Sequence, residues 1–366
     1  MQAMILAAGL GTRLRPHTYI LPKPLIPLAN VPLLKYHLQW LKRQGVDAAA
    51  VNLHYLPHRI TAAIGHGDEA SPAVKYSWEP VILGTGGGIR QMAGVLSPKD
   101  TFIVINSDML TNVDLAGALE QHRRNGALAT MLLTRAASVD RFGGVGVDAE
   151  GRVRRIANHI PNAPDGVAQG VFAGIHLVEP EILRYIPEGE VCINAQVYPE
   201  LIRQGYPVYG YFIPDSFFWR HLGSQGEYLG VHEELLSRKL PLPIGRWCQE
   251  LTPDTTLPEA DSSLWIENPA LIEPGAEIIP PVVIGRYCHI RARAKVGPYV
   301  SLDRGCVIPS GCRIEHCIIW DGIELEPDSN LSHTVISSRG GWGPLPPSGN
   351  TGEENRACLS GHPQST

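Results

Sequence analysis

Ala3-Met4-Ile5-Leu6-Ala7-Ala8-Gly9-Leu10-Gly11-Thr12-Arg13-Leu14-Arg15-Pro16 decides how the rest of this chain is read. Met4 to Ala8 is a short continuous apolar run, the pattern of a strand buried on both faces of a parallel sheet. Gly9 and Gly11 let the backbone turn sharply and come close to a ligand. A loop of this kind aims several N–H groups at one point and makes an anion nest. Arg13 and Lys23, the latter held between Pro22 and Pro24, add fixed positive charge where a polyphosphate would sit. The loop is not a P-loop, because the Gly-Lys-Ser/Thr ending is missing. It is a poor dinucleotide fingerprint as well, because Leu14 stands where the third glycine belongs.

Working outward, 366 residues suffice for two domains. The net charge of -5 is modest and no basic block occurs, so nucleic acid is not an expected partner. No signal peptide and no membrane-spanning run is read, which makes a cytoplasmic protein the expectation. Seven cysteines without a C-x-x-C pair argue against a disulfide framework and a zinc site.

The first half alternates strand and helix. Leu34, Leu38 and Leu41 fall on one helical face with Gly45 as a stop. Strands are expected at 48–53, 74–78, 101–106 and 129–134, with helices after Pro57, at 115–125 and at about 226–239. Leu83-Gly84-Thr85-Gly86-Gly87-Gly88 is a second glycine loop leading into a helix. This order predicts an α/β fold with a Rossmann-like, mostly parallel, doubly wound sheet. Ligands bind outside the carboxyl ends of such strands. Loop 9–13, loop 84–88 and Asp108 all lie there, so three separate stretches are expected on one rim.

The run from Leu6 to Pro16, followed by Leu21-Pro22-Lys23-Pro24-Leu25-Ile26-Pro27, resembles the signature of the sugar-1-phosphate nucleotidyltransferases. The resemblance implies that a nucleoside triphosphate and a sugar 1-phosphate give a nucleotide sugar and pyrophosphate. Arg13, Lys23 and Asp108 would then be catalytic. Leu6, Ala7, Ala8, Gly9, Gly11, Thr12, Gly84, Thr85 and Gly86 would bind the nucleotide, the glycines of loop 84–88 lying beside the base. Gly143, Asn158 and Gly174 would bind the sugar. Asp108 would hold Mg²⁺, a cation that takes carboxylate and phosphate oxygens. The segment Phe218-Trp219-Arg220-His221-Leu222-Gly223 departs from the family's Trp-x-Asp pattern. His221 stands where the family's second metal ligand is an Asp.

From Ile272 the chain repeats every six residues. Ile272, Ile278, Ile284, Ile290, Val296, Leu302, Ile308 and Ile314 hold a large aliphatic position, and residues 276 to 318 at the same interval are mostly small. This resembles the hexapeptide repeat of left-handed parallel β-helices, in which large and small side chains alternate inside. The register slips by one after Ile319. The expected organisation is a nucleotidyltransferase domain at 1–238, a linker at 239–263, a β-helix at 264–337 and a disordered tail at 338–366. That pairing is typical of mannose-1-phosphate guanylyltransferase-like enzymes, with guanylyl transfer favoured over uridylyl transfer. The β-helix would serve homo-oligomerisation or the binding of a regulator. Two rivals stand beside this reading: a regulatory paralogue without turnover, motivated by His221, and a bifunctional enzyme with acyl transfer at His289, His316 or His333.

Overall fold

A computed structural model describes residues 1–135, 137–157, 159–160, 168–240, 242, 263–338 and 340–341. Asn158 lies outside the described residues. So does the expected linker but for 239, 240, 242 and 263, and the expected tail but for 338, 340 and 341.

Apart from the two-residue antiparallel pair Pro27–Leu28 and Val31–Pro32, the strands of the first part are β1 (Gln2–Leu6), β2 (Ala48–Leu53), β3 (Ala73–Trp78), β4 (Phe102–Asn106), β5 (Met109–Thr111), β6 (Ala129–Thr134), β7 (Gly144–Val147), β8 (Val153–Ile156), β9 (Ala168–Val178), β10 (Val208–Phe212) and β11 (Trp219–His221). Its helices are α1 (Leu33–Arg43), α2 (Pro57–Ile64), α3 (Gly84–Leu96), α4 (Ala116–Arg124), α5 (Val139–Phe142), α6 (Tyr198–Arg203) and α7 (Gln225–Leu236). Among the described residues, nine strands form one sheet along the path β8-β7-β9-β4-β1-β2-β3, with β6 on β9 and β10 on β6.

The sheet is mixed. β1 pairs in parallel with β2 and β4, and β2 with β3. The long strand β9 runs antiparallel to β4, β6 and β7. The parallel half is the half that opens to the ligand rim.

Side-chain alternation sorts β1 between two cores. Ala3 and Ile5 join Val51, Ile105 and the α1 residues Leu34, Leu38 and Leu41 on one face. Met4 joins Val104 and the α3 residues Ile89 and Met92 on the other. Both faces are covered by helices, which is why the strand reads as unbroken apolar sequence.

The second part is built of parallel ladders. Leu264 pairs with Val282 and Val282 with Val300. Leu271 pairs with His289, which pairs with Val307. Glu277 pairs with Lys295, which pairs with Arg313. Each step is 18 residues, three hexads, so the chain returns to the same face once per coil. This is consistent with a β-helix. The register slip comes earlier than the hexad count suggests. Ser301 pairs with Ile318, 17 residues on, so the deletion falls between Ile314 and Ile318. Cys317 therefore takes the small interior position beside Cys288, Cys306 and Cys312. Ile318 turns outward and packs with Val283, Trp265 and Val335 against Leu28, Leu229 and Leu236 of the first part. Asn30 adds polar contacts across this interface, donating to the Leu302 carbonyl at 2.7 Å and accepting from Ser301 Oγ at 2.5 Å. No helix among the described residues is long and apolar enough to cross a membrane.

Candidate active site

The carboxyl ends of β1, β2 and β4 open onto a cleft of about 360 Å³. It is lined by Leu6, Ala7, Ala8, Gly9, Gly11, Thr12, Arg13, Lys23, Gly84, Thr85 and Asp108, among others. Three stretches separated by up to a hundred residues thus meet on one rim.

Gly11 has φ +64°, and a Cβ there would meet Lys23 Cβ and Thr18 Cγ2 at 3.1 Å each. Glycine is required on both counts. Thr18 Oγ1 donates to the Gly11 carbonyl at 2.8 Å and fixes the turn. The loop then forms a short 3₁₀ turn over Thr12–Leu14. Leu14 is buried as its anchor, while Thr12 and Arg13 stay exposed toward the cleft.

The Ala7 and Ala8 amides already have a partner. Asn52 Oδ1 accepts them at 2.6 and 3.2 Å. Asn52 Nδ2 donates to Glu79 Oε1 at 2.7 Å, and Glu79 Oε2 accepts the Leu83 amide at 3.1 Å. Both side chains are buried. This pair ties the loop after β1 to the start of α3. The two alanines therefore line the cleft with their amides already bonded within the protein. Sequence reasoning passed over Asn52 and Glu79. The available signal was one polar residue inside the apolar strand 48–53.

The residues of loop 84–88 divide between the cleft and the protein interior. Gly84 and Thr85 reach the cleft, but Gly86 does not. A Cβ on Gly86 would lie 3.0 Å from Val191 Cγ1, and the Gly86 amide donates to the Val191 carbonyl at 2.7 Å. Gly87 packs more tightly still on the Gly189 carbonyl, and Gly88 on Asn52 and Glu79, where a Cβ would meet each at 2.8 Å. These glycines are small because protein backbone and side chains crowd them.

Of the expected sugar contacts, Gly143 has φ +81° and abuts Ala157, and Gly174 has φ +78° and packs behind Asn106. Neither lines the cleft; the Asn106 side of that contact does.

Lys23 Nζ donates to Asp108 Oδ2 at 3.0 Å. Burial pushes the Lys23 ammonium down from its ordinary range, opposed by Asp108. Burial would raise the Asp108 carboxyl, but hydrogen bonding from His221 and the Lys23 charge outweigh it and hold it well below the usual carboxylate range. Asp108 is thus an anion that already has a cation at one oxygen.

His221 faces Asp108 from β11, which pairs with β5 so that His221 opposes Met109. Its Nε2 lies 3.5 Å from Asp108 Oδ2, and its Nδ1 lies 3.1 Å from Glu227. Glu227 Oε2 also accepts the Gly223 amide at 2.9 Å and Ser224 Oγ at 3.1 Å, and Arg141 pairs with Oε1 at 2.8 Å. Burial would raise this carboxyl, but His221, the Gly223 amide and Arg141 keep it low. A Cβ on Gly223 would strike the His221 ring. Glu227 was also missed from sequence, although Ser224-x-x-Glu227 has the form of a helix capping box.

The donor set fits a hard divalent cation at Asp108, which offers a partly exposed carboxylate to the cleft. It does not make His221 a good ligand for Mg²⁺, which takes oxygen. The imidazole instead borders the Asp108 carboxylate and is itself held by Glu227.

Residues 2–238 match the family described as nucleotidyl transferase, and residues 278–344 match that described as the GMPPB C-terminal domain. Among similar proteins is the mannose-1-phosphate guanylyltransferase of Mycobacterium tuberculosis, 33% identical over 87% of this chain and 83% of the relative. The UTP–glucose-1-phosphate uridylyltransferase of Synechocystis sp. is 29% identical over 93% of this chain and 88% of its own. Among solved structures, HddC of Yersinia pseudotuberculosis shares 23% identity at a TM-score of 0.54, covering 64% of this chain and 99% of that one. At that identity the likeness speaks for the fold.

Proposed function

The chain belongs to the nucleotidyl transferase family, and we propose that it joins GTP to mannose 1-phosphate, releasing pyrophosphate and leaving GDP-mannose. The broader activity, sugar-1-phosphate nucleotidyltransferase, follows from the family and from relatives named for guanylyl and uridylyl transfer. The choice of guanine and mannose rests on the relatives named mannose-1-phosphate guanylyltransferase, which extend over most of both chains.

One observation carries the mechanism. The exposed Arg13, the buried Lys23 and Asp108 share a cleft with the glycine loop, and Lys23 touches Asp108. A phosphate oxygen of the sugar phosphate attacks the α-phosphorus in line. The bond from that phosphorus to the bridging oxygen breaks, and pyrophosphate leaves. No covalent enzyme intermediate is required, so the chain contributes position and charge. Gly9, Gly11 and Thr12 cradle the triphosphate. Arg13 neutralises the leaving pyrophosphate. Lys23 is held in low dielectric and exchanges part of its bond with Asp108 for the α-phosphate, where negative charge grows. Asp108 would hold Mg²⁺, which when bound supplies Lewis-acid polarisation of the phosphates. His221 and Glu227 orient the Asp108 carboxylate.

The test is pyrophosphate release from purified chain with Mg²⁺, each common nucleoside triphosphate and a panel of sugar 1-phosphates. Fastest release with GTP and mannose 1-phosphate is expected. Release with UTP and glucose 1-phosphate instead would overturn the substrate choice. His221 motivates a second reading, a regulator that binds nucleotide sugars without turnover. Silence across the panel with GDP-mannose still bound would establish it.

A further inference from the structure

The contact between α7 and the coils carries a cluster that the reaction does not use. Tyr299, His316 and His333 follow one another at 17-residue intervals and occupy the same position on successive coils. All three have positive φ, 58°, 50° and 50°. Their rings therefore project in one direction and stack. Tyr299 and His316 are 4.9 Å apart, and His316 and His333 lie 4.4 Å apart with planes 7° from parallel. From the first part, Glu233 of α7 reaches this ladder and sets its Oε1 2.8 Å from His316 Nδ1. One ligand atom from each of Glu233, His316 and His333 lies within 4.8 Å of the others.

The protonation pattern favours coordination. Ser332 Oγ has a single proton and donates it to Glu315 Oε1 at 3.2 Å. Its 2.7 Å contact with His333 Nδ1 then needs a proton on that ring nitrogen. This tautomer leaves Nε2 of His333 with its lone pair. Metal-binding imidazoles are oriented by donating the other ring N–H to an acceptor, the part that Ser332 Oγ plays for His333 Nδ1. His333 is exposed and Glu233 and His316 are partly so, which leaves a path for an ion and an open coordination position for water.

We propose that Glu233, His316 and His333 form a second divalent-metal site, of the zinc class, that staples α7 of the catalytic part to two successive coils. Two imidazoles and a carboxylate suit Zn²⁺ or Co²⁺ and not Mg²⁺, so the site would not compete for the catalytic cation. Parallel rings do not aim their lone pairs at one point. Binding turns the exposed His333 ring about its χ angles, an ordinary rotamer change at a surface residue. The ion also takes the place of the proton shared by His316 Nδ1 and Glu233, which passes to His316 Nε2 or to water, and takes both groups as ligands. α7 also carries Glu227, six residues and under two helical turns before Glu233, so occupancy would stiffen the helix that orients His221.

The experiment uses the full chain, freed of metal with EDTA and titrated with Co²⁺ alone. A visible absorption band of four-coordinate Co²⁺ is expected, saturating at one ion per chain and abolished by Zn²⁺. His333→Ala and Glu233→Gln should each lose the band while keeping the basal turnover of the parent chain, which shows that they fold. Asp108→Asn should retain the band. Zn²⁺ should raise the melting temperature of the parent chain and leave that of His333→Ala unmoved. The proposal is overturned if no such band forms, if it persists in His333→Ala or Glu233→Gln, or if it disappears in Asp108→Asn.

Discussion

His221 Nδ1 lies 3.1 Å from both carboxylate oxygens of Glu227, while its Nε2 faces Asp108 at 3.5 Å. An imidazole is thus held between two carboxylates, one in the cleft and one behind it. Glu227 is a positioning residue for Asp108, acting through the ring. Glu227→Gln keeps the shape but turns one acceptor into a donor, opposed to the Gly223 amide or to the ring. Losing such outer support typically costs tenfold or more in metal affinity or activity. We expect turnover to fall about tenfold and the half-saturating Mg²⁺ concentration to rise, with the circular dichroism spectrum unchanged. A Mg²⁺ dependence identical to the parent would refute the role.

Arg13 is exposed and the described structure gives it no stabilising task, so its replacement should separate catalysis from folding. Arg13→Ala is expected to lower turnover by ~10²-fold or more, the usual cost of losing one group that stabilises transition-state charge. The urea midpoint should not move. An unchanged rate would remove Arg13 from the mechanism.

Asn52 and Glu79 form a buried pair between the first glycine loop and α3. Asn52→Ala strips the Ala7 and Ala8 amides of their acceptor and leaves a buried carboxylate oxygen unpaired. The expected loss is about 2–3 kcal/mol, read from the first urea transition. KM for the nucleotide should rise because the loop loses its anchor. A variant as stable as the parent, with the same KM, would show that the loop is held by other contacts.

Among the described residues five histidines are buried and pushed toward the neutral form; His122 is opposed by its bond to Glu179, and the other four carry the larger shifts. Burial pushes His17 and His37 down to about 4, and His176 and His232 to about 3. In the unfolded chain each titrates near 6.5. Below that pH the unfolded state takes up protons that the fold refuses. Stability is therefore complete at neutral pH and declines as pH falls from 6.5 toward 4, by about 1.4 kcal/mol per histidine per pH unit. Among the described residues neither ring nitrogen of His232 has a hydrogen-bond partner. His232→Leu should raise stability at pH 7 by about 1–2 kcal/mol and flatten the acid slope by one proton. Urea titrations at pH 7, 6 and 5 check both signs; an unaltered slope would show that His232 is not one of the refused protons.

The periodic features were legible in the chain alone. Residues 48–53 and 101–106 read as buried strands because both faces of their sheet are covered, and a local apolar run records that. The hexads from Ile272 read as coils because each inward position is filled by its own hexad. The rim residues Arg13 and Asp108 were legible because strand ends in such a sheet fall on one side, and Lys23 from its place between Pro22 and Pro24. What the tertiary structure decided is pairing between residues far apart. Asn52 meets Glu79 and the Ala7 amide only after three strands are laid side by side. Gly86 is small because Val191 is there, and nothing local to either residue says so. The slip at Cys317 was placed by which face of the coil meets Leu229 and Leu236, which turned Ile318 outward. Period and turn chemistry are properties of neighbours in sequence. The partner of a buried polar group, or the surface that covers an outward aliphatic one, is chosen by packing across the whole chain.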